Sequence, residues 1–163
     1  MIPTIIQALR AISHPRFFET ERGFQGEFLA NLKTLGAAPP NAIVEEEHQK
    51  KLRIHGIARR PDIIIHVPTP PGGDRKRDNF AVFALKLAAG PAAAAKDFAA
   101  LDAMIVALHY RVAAFVNIAA RDTHADRYNG QFRDRLHFFG VAQVNNETRV
   151  RYQFYQDGAL VEE

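Results

Sequence analysis

Residues 79–119, NFAVFALKLAAGPAAAAKDFAALDAMIVALHYRVAAFVNIA, hold a strand, a helix and a second strand in succession. Pleat alternation over residues 79–87 puts Phe80, Val82, Ala84 and Lys86 on one face and Ala81, Phe83, Leu85 and Leu87 on the other. Apolar side chains on both faces are the pattern of an interior strand. Gly90-Pro91 then opens an alanine-rich helix, where proline gives up only an N–H that a helix start leaves unbonded. Residues 110–119 return to an apolar, extended pattern. A strand–helix–strand passage of this kind predicts a parallel pair joined by a right-handed crossover.

Working upstream, residues 61–67, PDIIIHV, are a β-branched run that reads as another central strand. Between it and Asn79 lies PTPPGGDRKRD, residues 68–78, dense in turn formers and read as an exposed loop. Residues 42–52 suit a polar or edge strand. In residues 21–35, Phe24, Phe28, Leu32 and Leu35 recur at helical spacing, and Gly36 with Pro39 and Pro40 ends the helix. Residues 3–12 suit a shorter one. Downstream, residues 121–134 are loop or weak helix, and residues 136–144 and 148–156 alternate as a hairpin about Asn145-Asn146. The expected fold is a single α/β domain over residues 1–163, with a mixed central sheet flanked by helices. Its core order is αβββαβ, followed by a C-terminal β-hairpin.

Composition narrows the chemistry. The chain has 163 residues and no cysteine, so disulfide scaffolds, thiolate metal sites and cysteine nucleophiles are excluded. No apolar run reaches the roughly 18 residues that cross a bilayer. The N-terminal stretch lacks the basic region and cleavage site of a secretory signal, so a cytoplasmic location without membrane contact is expected. The seven histidines form no metal-spaced helix or strand pair. The formal net charge is only +3, but Lys50, Lys51, Arg53, Arg59 and Arg60 form one basic stretch and Arg75, Lys76 and Arg77 another. Both fit either solvated turns or a surface that touches a nucleic-acid backbone. Gly72-Gly73 is no phosphate-binding P-loop, because a strand follows it rather than a helix.

Lys86 lies at the end of an otherwise apolar strand face. An ammonium there needs a partner or an opening, and Asp62 at the start of the preceding strand is a candidate for an ion pair at the sheet rim. The order Pro61-Asp62, about twenty residues with a loop, then Ala84-Leu85-Lys86 on a strand before a helix resembles the PD-(D/E)xK nuclease superfamily. The segment ERGFQGEFLANL, residues 21–32, is similar to the first helix of small domains in that group. The resemblance implies a restriction-endonuclease-like fold and phosphodiester hydrolysis of DNA, with RNA second, using Mg²⁺ or Mn²⁺. It matches Glu27 to a helical glutamate near the metal, Asp62 to the metal-binding aspartate and Lys86 to the lysine that positions the attacking water. Arg60 is a nearby candidate for phosphate contact.

The departure is Ala84, which stands where the family has an acidic metal ligand. On the resemblance, this chain is therefore impaired or inactive. Three accounts stay open: an engineered Glu-to-Ala change, a natural non-catalytic module that binds nucleic acid or protein, or a carboxylate supplied from elsewhere. For the last, Glu46, Asp74, Asp78 and Asp97 are the candidates. A homodimer, an inhibitor protein or a larger complex also remain possible partners.

Overall fold

The computed structural model describes residues 1–46, 60–74 and 76–163. Three α-helices are described: α1 (Ile2–Arg10), α2 (Glu21–Thr34) and α3 (Pro91–Leu108). The strands are β1 (Ile43–Glu46), β2 (Ile63–His66), β3 (Asn79–Leu87), β4 (Val112–Ile118), β5 (Leu136–Val144), β6 (Glu147–Gln156) and β7 (Ala159–Glu162). They form one seven-stranded sheet whose spatial order follows the sequence, β1 to β7. The β3–β4 and β4–β5 pairs are parallel and the others antiparallel, so the sheet is mixed.

Helices cover both faces. On one side α1 and α2 bury Ile5, Leu9, Phe24, Phe28 and Leu32 against Ala81, Phe83 and Leu85 of β3. The Phe28 ring meets Phe83 edge-on, with centroids 5.5 Å apart. On the other side α3 lays Ala94, Phe98, Leu101 and Leu108 over Val82, Phe115 and Phe138. Each fully buried phenylalanine contributes about 1.5–3 kcal/mol relative to an exposed one. The alternation read from β3 therefore separates two cores, and Val82 and Ala84 face α3.

The expected α/β architecture with a mixed, helix-flanked sheet is present. The edge strand is shorter than the residue 42–52 run suggested: β1 covers Ile43–Glu46, and residues 47–52 lie outside those described. The hairpin also carries an additional strand. Asp157 and Gly158 both adopt positive φ, 51° and 81°, the geometry of a tight hairpin turn, and return the chain as β7 along β6. Asn145 and Asn146 turn the β5–β6 hairpin in the same way, at φ 52° and 63°. No helix among the described residues is long and apolar enough to cross a membrane.

Candidate active site

Pro61 sets the geometry. It has no N–H to carry the ladder beyond Asp62, where both the backbone and the side chain pair with β3. The Asp62 N–H donates to the Phe83 carbonyl (3.1 Å), and the Asp62 Oδ2 accepts from the Leu85 N–H (2.6 Å). Asp62 thus grips β3 on either side of Ala84. Gln25 of α2 ties down the third side, its Nε2 donating to the Asp62 carbonyl at 2.7 Å.

Four residues before Gln25, and so on the same helical stripe, comes Glu21. Thr20 caps the helix, its Oγ1 accepting from the Gly23 N–H at 3.0 Å. Glu21 therefore stands in the first turn, where the helix dipole favours an anion. Its Oε2 lies 3.3 Å from Lys86 Nζ and accepts from the Leu87 N–H at 3.3 Å. Lys86 thus pairs with Glu21, and the rim ion pair expected with Asp62 does not form. Glu21 reaches the end of β3, its Oε2 meeting both the Leu87 N–H and Lys86, while the Asp62 Oδ2 is turned to the Leu85 N–H.

These groups open onto a cavity of about 260 Å³ whose lining includes Glu21, Arg60, Asp62, Ala84, Lys86 and Asp97. Ala84 is only half-buried although β3 is an interior strand, because the cleft lies beside it. Asp97 enters from the second turn of α3, on the stripe that continues through Leu101 and Met104. Burial pushes the Asp62 carboxyl up from 3.8 to about 6. The Leu85 hydrogen bond pulls it down, Glu21 and Asp97 push it up, and Lys86 pulls it down. Burial also raises Asp97, against the pull of Lys86. Among the described residues nothing donates a hydrogen bond to the buried Asp97 Oδ2.

A second network fixes the turn between β3 and α3. Asn117 lies opposite Lys86 in the β3–β4 register and is fully buried. Its Oδ1 accepts from the Ala89 N–H (2.7 Å), and its Nδ2 donates to Asp122 O (2.8 Å) and Ala89 O (3.3 Å). The His124 ring, through Nε2, meets the same Ala89 carbonyl at 2.7 Å. The strand bearing Lys86 and the helix bearing Asp97 are locked together through this turn.

Of the residues singled out in the sequence, Asp62, Ala84, Lys86, Arg60 and the substitute-carboxylate candidate Asp97 line the cleft. Glu27 is not among its lining residues; it lies six positions beyond Glu21, roughly 120° away around the helix. Lys76 and Arg77 belong to the loop preceding β3, at the opposite end of that strand from Lys86, roughly 20 Å along it. Arg75 lies outside the described residues, as do Lys50, Lys51, Arg53 and Arg59. Glu21, Gln25 and Asn117 had no assigned role from the sequence, although an asparagine within an apolar strand was a signal for the last.

Among the described residues no three His, Asp or Glu side chains converge closely enough to hold a metal ion by themselves. The donor chemistry nevertheless fits a hard divalent cation. Its candidate side-chain ligands are carboxylates, one oxygen of Asp97 is buried without a partner, and magnesium commonly takes only one or two protein carboxylates.

The sheet, flanked by α1 and α2 on one face and α3 on the other, defines an α/β fold with a mixed seven-stranded sheet. Among solved structures, the chain is similar to P. aeruginosa ATCC27853 NucC in its cAAA-bound form, with a TM-score of 0.55 at 11% identity over 99% of this chain and 78% of that one. No protein-family model matches the sequence, nor does any curated protein.

Proposed function

We propose that this chain is a metal-dependent nuclease domain of the PD-(D/E)xK kind, hydrolysing phosphodiester bonds of DNA with Mg²⁺ or Mn²⁺. The observation that carries the reading is the convergence of Asp62 and Lys86 from two strands into one cleft beside Ala84. When bound, the cation supplies charge to the phosphate and acidifies an attacking water.

The protein's own contribution is positioning. Asp62 is held by two backbone groups of β3 and by Gln25, so it presents its carboxylate without reorganising. Lys86, steadied by Glu21, holds its ammonium at the cleft, where it orients the water and offsets phosphate charge. Arg60, in the same lining, draws the phosphate backbone in. Ala84 contributes no donor, which makes the cleft weaker than one with an acid on β3.

The other reading is a non-catalytic module that keeps the fold to bind nucleic acid, and Ala84 is the observation that favours it. Plasmid DNA and RNA cleavage, assayed with Mg²⁺ and with Mn²⁺, separates the two. The nuclease reading expects Ala84→Glu to cut DNA faster than the unaltered chain. If neither chain cuts either substrate while both bind DNA without a divalent ion, the binding-module reading replaces it.

A further inference from the structure

Asp97 occupies a position where a purely structural carboxylate makes little sense. It shares its helical stripe with Leu101 and Met104, residues that pack into the α3 core, so an apolar side chain would suit the site. Instead the helix carries a carboxylate whose Oδ2 is buried and, among the described residues, accepts no hydrogen bond. Leaving a buried polar atom unpaired is unfavourable, and more so for a charged group. Lys86 relieves it only at a distance, because its direct ion pair is with Glu21.

Across the cleft stands Ala84. Its methyl group leaves open the space between β3 and α3 that a longer acidic side chain would enter, and the cavity lies there. Glu21 lines the same cleft, but its carboxylate is engaged by Lys86 and the Leu87 N–H, and the other candidates are placed elsewhere. Asp74 and Asp78 flank the loop at the far end of β3, and Glu46 ends β1 at the surface. Neither the loop nor β1 contributes to the cleft lining.

We infer that Asp97 joins Asp62 as a divalent-cation ligand from the helix side, in place of the acid that Ala84 lacks. The inference rests on the nuclease reading above. It changes that reading in one respect: the unaltered chain keeps a two-carboxylate site. Such a site suits Mg²⁺, which retains waters and takes substrate phosphate oxygens for its remaining positions.

Titration of Mn²⁺ into the full chain, followed by calorimetry, tests this without depending on catalysis. The unaltered chain is expected to bind Mn²⁺, and Asp97→Asn to bind it about tenfold more weakly or worse. Ala84→Glu combined with Asp97→Asn is expected to recover the loss, because the acid is restored from the strand side. A measurement on the unaltered chain guards against misfolded variants. Bound Mn²⁺ should broaden the backbone NMR signals of Asp62 and of Lys96 to Phe98 together. Equal Mn²⁺ affinity for Asp97→Asn and the unaltered chain, or broadening that spares residues 96–98, overturns the role of Asp97 and leaves the nuclease reading standing. Binding by Ala84→Glu but not by the unaltered chain has the same consequence. If neither of those two chains binds Mn²⁺, the nuclease reading itself falls.

Discussion

Asp62 is held in a form that opposes its own ionisation. Burial lifts its pKa from 3.8 to about 6, so folding favours the protonated carboxyl. A group with a raised folded pKa contributes stability that is complete below its unfolded value and lost as pH rises through the folded one. Here the loss falls between about pH 4 and pH 6, and the metal-free chain carries the strain at neutral pH. Asp62→Asn keeps an oxygen for the Leu85 N–H and removes the charge. It is expected to stabilise the metal-free protein by about 2 kcal/mol at pH 7.5, with little gain at pH 4. Thermal melts at the two pH values check this. That Lys86 shares a strand face with Ala84 was legible in the sequence, because strand periodicity fixes which side chains lie together, whereas Asp62 was singled out through the resemblance. The helical glutamate was harder, because periodicity groups residues into stripes without saying how the helix is rotated against the sheet. Docking turned the Glu21–Gln25 stripe toward Asp62. Glu21→Gln is therefore expected to slow cleavage more than Glu27→Gln, measured side by side on plasmid DNA.

At the scale of elements, the site depends on the β3–α3 turn. Asn117 satisfies the Ala89 N–H and carbonyl and the Asp122 carbonyl from a fully buried position. Asn117→Ala removes the partner of the Ala89 N–H and of the Asp122 carbonyl, His124 still meeting the Ala89 carbonyl, and is expected to cost about 2–4 kcal/mol, read from urea unfolding. The bounds of β3 were readable in advance from its run of apolar residues between a turn-rich loop and Gly90-Pro91, and in the structure Ala88, at φ 45°, breaks the strand. β7 was not anticipated, although Asp157-Gly158 is a turn pair of the kind that closes two-residue hairpins. Its few residues are largely exposed, so they show no buried periodicity to mark them.

For the whole molecule, the order of elements carried most of the fold. The strand–helix–strand passage fixed the β3–β4 pair as parallel, and two-sided burial of β3 required helices on both faces. The parallel β4–β5 pairing, which joins the hairpin to the central sheet, had no local signal: it arises when residues 121–135 carry the chain back across the sheet. That junction has a pH consequence. His137 of β5 packs against Tyr152, its Nδ1 2.7 Å from the tyrosine oxygen, and burial lowers its pKa from 6.5 to about 4. Between those values the unfolded chain takes up a proton that the folded chain refuses, so His137 subtracts stability as pH falls from 6.5 to 4. His137→Phe is expected to flatten that decline by about 2 kcal/mol, measured by denaturant titration at pH 7 and pH 4.5.

The claim that this cleft is a nuclease centre meets its most direct test in the rate of Mg²⁺-dependent plasmid cleavage by Ala84→Glu, with Lys86 present and with Lys86→Ala. The account predicts cleavage that requires the divalent ion and falls by about a hundredfold or more without the lysine. Cleavage indifferent to Lys86, or none at all by a folded Ala84→Glu chain, would contradict it.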